Sequence, residues 1–237
     1  MSKKKEYDIL ANSLLPRLMP GIIHEINNPL GVILNNNETL KGYAKEIVNG
    51  TDKKNKNNET SDHIKEDLPV ILEEIEESAL KISAIIRGLQ ILTAAEEEQR
   101  TVSINDLVDR VLDVCWNEFK YNFKVIKKYS VISKTRINTK ETGLILLILF
   151  IDVVDVLKNS GEIEIYTGQK NNKLFVTIED NRERKQQGKH PLFDKIACQT
   201  KKENEWNIER EKNKQKTRLL TAKTKKGQKT TLEIFTQ

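Results

Sequence analysis

Apolar residues recur every seven positions at Met19, Ile26, Ile33, Leu40 and Ile47, and Leu15, Ile22, Ile23, Leu30 and Tyr43 fill the intermediate turns. A repeat of that period runs along one side of a helix, so the pattern predicts a helix over about residues 5–48. A polar, asparagine-rich stretch containing Gly50 follows and reads as a loop. A second series then interleaves Leu68, Ile75, Ile82 and Leu89 with Ile64, Ile71, Ile85 and Leu92, a heptad pattern of the coiled-coil kind. Asp62 is the expected N-cap of this second helix. Pro69, which has no N–H, is expected to kink or restart it. Two such helices joined by one loop form a hairpin with an apolar seam too wide for the pair to bury. A second copy would cover the remainder in a four-helix bundle, so burial alone predicts a homodimer.

Beyond the hairpin the pattern changes. "SINDLVDRVLDVCWNEF" reads as an amphipathic helix capped by Ser103, and "KVIKKYS" as a strand. "ETGLILLILFIDVVDVLKNSG" is apolar on all sides and reads as a buried helix closed by Gly161. "EIEIYTG" and "KLFVTIED" alternate like two strands joined through "QKNN", and "TRLLTAKTKKGQKTTLEIFTQ" supplies two more. The expected architecture is a helical hairpin over 1–98 followed by an α/β domain over 99–237.

Composition narrows the class. Hydrophobic residues make up 37% and charged residues 32% of the 237, which suits a protein with much helical surface. The longest apolar run, Leu144 to Ile151, is interrupted by Asp152 and is far shorter than the roughly 20 residues that span a bilayer, so no membrane segment is expected. The basic start "MSKKKEYDIL" has no apolar stretch behind it, so no secretory signal is read and the cytoplasm is the expected location. Cys115 and Cys198 with three scattered histidines make neither a disulfide framework nor a metal-ligand spacing; both read as buried or half-buried thiols, and no metal site is expected. The net charge of +5 is concentrated late, with sixteen Lys and Arg against seven Asp and Glu from Arg182 onward. That region lacks the interleaved aromatics of a base-stacking surface and reads as a solvated loop, which argues against a nucleic-acid partner.

The first helix also carries "GIIHEINNPLGVI", residues 21–33, in which its most polar residues and a proline stand together. With Met19 and Ile26 at heptad position a, His24 falls at f and faces solvent, Glu25 falls at g on the flank, and Asn28 shares the face of His24 one turn on. Pro29 removes the hydrogen-bond partner of the Glu25 carbonyl, so a bend is expected there. An exposed imidazole is partly uncharged near neutral pH and nucleophilic, and an adjacent carboxylate can orient it or take its proton. A lone histidine on a polar helix face is ordinarily just hydrated; the combination is more specific.

"HEINNPL", on the first helix of a hairpin whose second helix reads "ILEEIEESALKISAIIRGLQIL", resembles the H-box of two-component sensor histidine kinases, especially the nitrogen-regulation type. The resemblance implies that His24 carries a phosphoryl group, that Glu25 assists proton removal, and that Asn28 stands where such proteins hold a residue positioning water for dephosphorylation of a partner. It implies a dimeric four-helix bundle followed by an α/β sandwich like the family's Bergerat-type ATPase domain.

That second domain departs from the family pattern in its chemistry. The family's asparagine on the buried helix corresponds to Asp152, and its Asp-x-Gly-x-Gly turn to Asp180 and Asn181 with Arg182 and Arg184 at the glycine positions. After Gly168 only Gly188 and Gly227 remain, and no Gly-x-Gly occurs, although backbone must approach phosphate closely in such loops. In place of the nucleotide lid runs "CQTKKENEWNIEREKNKQK", read as a loop or a short helix. Asp152, Asp180 and Asn181 are therefore read as a vestigial nucleotide site, and no cofactor is expected. An autokinase must position and neutralise the transferred phosphoryl group, whereas a phosphotransfer protein needs only an exposed histidine and a docking surface. The chain is similar in build to kinase-like histidine phosphotransferases. The expected function is transfer between His24 and the aspartate of a response-regulator receiver domain, with an upstream kinase as a further partner. His24 lies near the start of the sequence, so no sensor segment is expected ahead of it, and if this is the whole protein its input is expected from another protein. The alternatives are an active, divergent sensor kinase using ATP and Mg, and a regulatory scaffold that docks a response regulator without transfer.

Overall fold

The computed structural model describes residues 3–51, 58–94, 99–157, 160–170, 173–181, 198–199, 205–209, 216–223 and 228–235. By contact the chain divides into two compact units, residues 22–86 and residues 1–21 with 87–237.

Helix α1 spans Lys3–Thr51 and α2 spans Asn58–Thr93. In the 22–86 unit they run antiparallel as a hairpin, as three polar contacts show. Lys81 meets Glu25, the Asn36 amide donates to Glu74 at 2.8 Å, and the Tyr43 hydroxyl donates to Asp67 at 2.7 Å. The Tyr43 ring also packs edge-on against His63, 5.7 Å between centroids. Between the helices Ile22, Ile64, Ile71 and Ile85 are buried. Ile23, Leu30, Leu34, Leu72, Leu80 and Ile86 remain exposed, the wide apolar surface that the heptads anticipate.

One expectation about α2 is corrected and another is narrowed. The helix begins at Asn58, so Asp62 is not its N-cap but lies inside it, accepting a hydrogen bond from Lys65 at 3.0 Å. Pro69 neither ends nor restarts the helix, which is continuous through it. Pro69 is solvent-exposed, so water can satisfy the carbonyl it leaves without an N–H. Likewise α1 runs unbroken through Pro29.

In the other unit the next elements are β1 (Gln99–Val102), α3 (Ile104–Phe119), β2 (Phe123–Lys128), β3 (Thr135–Asn138) and α4 (Thr139–Leu157). The remaining strands are β4 (Gly161–Lys170), β5 (Lys173–Asp180), β6 (Cys198–Gln199), β7 (Glu205–Glu209), β8 (Lys216–Lys223) and β9 (Gln228–Phe235). Ser103 caps α3 as expected, its hydroxyl accepting from the Asp106 N–H at 3.3 Å. The face at Ile104, Leu107, Val108, Val111, Leu112, Cys115 and Phe119 is buried, the three- and four-residue spacing of one helical side. Helix α4 is apolar all round, and Leu144 to Ile151 are each at most 2% exposed. The Phe119 and Phe150 rings meet edge-on, 6.0 Å between centroids, and tie α3 to α4.

A seven-stranded sheet runs β2-β4-β5-β9-β8-β7-β6. Strands β2 and β4 are parallel, which needs a long crossover; β3 and α4 supply it. The other neighbours are antiparallel. Ile163, Ile165, Leu174, Val176, Ile178, Leu232 and Ile234 alternate along three adjacent strands and are buried. Burying each such side chain contributes about 1.5–3 kcal/mol.

Three readings of this unit change. Gly161 begins β4 instead of closing the buried helix, which ends at Leu157. The charged stretch from Cys198 contributes β6, β7 and the start of β8 to the sheet, not a loop or short helix. Strands β1 and β3, which pair antiparallel, go unrecognised in the sequence.

Candidate functional site

The helical stretch 21–33 divides its residues by face. His24 and Asn28, one turn apart, are both exposed, as their heptad positions require. Glu25 is not on the exposed flank. It is 4% exposed, on a buried stripe that includes Ile22 and Pro29. The exposed side of this stretch therefore presents an imidazole and an amide, with the carboxylate turned inward between the helices.

A carboxylate in that position is stable only if paired. Lys81 of α2 supplies the charge, its Nζ lying 3.9 Å from Glu25 Oε2, an ion-pair separation longer than a hydrogen bond. The Lys81 stem reaches in from a half-exposed position. Lys81 is the one basic residue between Lys65 and Arg87, a signal in the sequence that points to such a partner. Chemically, the arrangement offers a water-accessible nucleophile beside a carboxylate whose place is fixed by packing and charge.

In the other unit, Asp152 on α4 and Asp180 at the end of β5 are both buried, and neither is without a partner. Asn181 is exposed, and its Oδ1 accepts a hydrogen bond from the Glu162 N–H at 3.1 Å. That side chain is thus engaged in holding the start of β4. Arg182, Arg184, Gly188 and Gly227, which bear on the nucleotide loops, lie outside the described residues. One turn beyond Asp152, Asp155 is clamped by Arg17 of α1, whose Nη1 donates at 2.8 Å while Nη2 approaches the other oxygen. Its hydrogen bond to the Asp155 carboxylate holds the Arg17 guanidinium above its ordinary pKa. Sequence reasoning passes over this pair, whose members are 138 residues apart.

Among the solved structures that resemble this chain are histidine kinases. The histidine kinase AdeS of Acinetobacter baumannii is 12% identical, with 90% of this chain and 98% of that chain covered and a TM-score of 0.40. The histidine kinase ThkA in complex with the response regulator protein TrrA is 16% identical, with 99% of this chain and 65% of that chain covered and a TM-score of 0.45. A bacterial phosphotransferase is 15% identical, with 92% and 95% covered and a TM-score of 0.40. No protein-family model matches the sequence, and no curated protein matches it significantly. Among the described residues, no helix is long and apolar enough to cross a membrane.

Proposed function

We propose that the chain is a histidine phosphotransfer protein of two-component signalling, in which His24 exchanges a phosphoryl group with the aspartate of a response-regulator receiver domain. The observation that carries this reading is the division of one helical turn: His24 exposed, Glu25 buried beside it and paired with Lys81. In the transfer, a ring nitrogen of His24 attacks phosphorus, the P–N bond forms, and the P–O bond to the regulator's carboxylate breaks. The aspartate leaves as carboxylate, and Glu25 takes or stabilises the proton on the other ring nitrogen. In the reverse direction the same atoms run backwards. Asn28, on the exposed face, orients water toward the regulator's acyl phosphate in a dephosphorylation step.

The histidine must stand on a fixed surface for a receiver to dock, and a second copy supplies it by covering Ile23, Leu30, Leu72 and Ile86. The protein is therefore a homodimer in this reading, its receiver docking on the outer side of the bundle. An upstream kinase provides the phosphoryl group.

The competing reading is an autokinase that binds ATP through Asp152, Asp180 and Asn181. The engagement of Asn181 with the β4 backbone and the glycine-poor sequence after Gly168 favour transfer without nucleotide. Titration of the full chain with an ATP analogue and magnesium, alongside incubation with labelled ATP, separates the two. Transfer predicts no saturable heat and no label on the chain; binding with labelling of His24 overturns it.

A further inference from the structure

A cavity of about 190 Å³ lies where β1, the first half of α3 and the start of α4 come together, in the unit that does not contain His24. Its walls carry Arg100 from β1, Arg110 from α3 and Lys134 from the segment before β3. Among the described residues none of these three cations forms a hydrogen bond or ion pair through its side chain. The one carboxylate in the wall is Asp106, so the lining carries three formal positive charges against one negative. Three like charges around one concavity repel each other and raise the local potential for an anion.

A second feature points the same way. Thr139, the first residue of α4, also lines the cavity and is 7% exposed, yet its hydroxyl makes no hydrogen bond among the described residues. That hydroxyl is free to donate to an incoming acceptor. Ser103 lines the cavity too, at the start of the 16-residue helix α3, where first-turn N–H groups lack intrahelical partners. Ionic side chains, a waiting hydroxyl and a helix start thus converge on one space.

We propose that this cavity binds a small dianion of the phosphate-monoester class, inorganic phosphate being its simplest member. Arg100 and Arg110 supply the planar forks that fit phosphate oxygens in pairs, Lys134 a third charge, and Thr139 a hydroxyl donor. The net lining charge of two positive matches a dianion and favours it over a monocarboxylate. Ile91 and Leu107 form an apolar edge suited to the carbon stem of an ester.

The test is calorimetric titration of the full chain with inorganic phosphate, with glycerol 3-phosphate and with acetate. Saturable binding of one phosphate per chain is expected, weakening as salt rises. Affinity should fall at least tenfold in Arg110→Gln and severalfold in the exposed-site variants Arg100→Gln and Lys134→Gln, with Thr139→Val also weaker. Glycerol 3-phosphate binding more tightly than phosphate would assign the ester as ligand, and equal affinity the phosphate group alone; acetate should not bind. His24→Gln should bind like the parent, which separates this cavity from the histidine. Absence of saturable phosphate binding, or binding unchanged in Arg100→Gln and Lys134→Gln, overturns the proposal.

Discussion

Glu25 Oε2 and Lys81 Nζ face each other at 3.9 Å across the hairpin, and the carboxylate side chain is 5% exposed. Removing the cation leaves a buried carboxylate without that partner, whereas removing both charges does not. Lys81→Ala should therefore destabilise the chain by about 1–3 kcal/mol, while Glu25→Gln/Lys81→Met recovers much of the loss. Urea unfolding of the two variants and the parent checks this; equal stability of Lys81→Ala and the parent would show that the pair does not hold Glu25 in place. In the proposed transfer Glu25 accepts the proton, so phosphoryl transfer should fall in Glu25→Gln even where stability is recovered.

Gly88 of α2 allows a close helix crossing. A Cβ there would run into the backbone oxygen of Arg110 and lie 2.5 Å from Val114 Cγ2 on α3. The obstacle is partly main chain, which cannot swing aside. Despite alanine's better helix propensity, Gly88→Ala should destabilise by about 1–3 kcal/mol, read as a fall in Tm by calorimetry; a rise in Tm would show that α2 and α3 are not packed this closely.

Asp113 on α3 is half-buried, and burial raises its pKa above the ordinary carboxylate value. The neighbouring Asp109 raises it further, and Lys127 and Arg87 oppose the shift. A carboxyl group with a raised folded-state pKa makes the native state bind its proton more tightly. Its contribution then destabilises at neutral pH and diminishes as pH falls through the folded value toward the unfolded one. Asp113→Asn should gain about 0.5 kcal/mol at pH 7, a figure already reduced for solvent screening, and less than that near pH 4. Parallel denaturation curves at the two pH values test the sign; a gain that grows on acidification would reverse it.

Cys115 is fully enclosed in the α3 face, and burial pushes its thiol well above the usual range. The thiolate is the reactive form. In a Cys198→Ser background the chain should leave a thiol-specific reagent unconsumed at pH 8 until denaturant is added. Prompt stoichiometric reaction of the native chain would contradict the enclosure.

How far the sequence carries can be judged from these residues. The seven-residue spacing predicts two long helices and an outward His24, because a strong period fixes which residues share a side. It misplaces Glu25, since the apolar set is wide enough for two seams, and the one closed by α2 includes Ile22 and Pro29 while Ile23 and Leu30 face outward. Helix α4 is legible because its apolar run leaves no polar face. Strands β6 and β7 are not, because Cys198–Gln199 is too short to carry a pattern and the alternation of Glu205–Glu209 covers only 5 residues inside a run of lysines, glutamates and asparagines. Nor is the Arg17–Asp155 clamp or the convergence of Arg100, Arg110 and Lys134, which join residues far apart in the chain through tertiary packing alone.

The central claim is that His24 bears the phosphoryl group. Its most direct test is mapping of acid-labile, base-stable phosphate on the protein recovered from its own cells, with the parent and His24→Gln chains compared. Phosphohistidine at His24 in the parent and none in the variant is the predicted result. Phosphate at another residue, or no phosphohistidine while response-regulator docking persists in His24→Gln, would contradict it and favour a scaffold that binds without transfer.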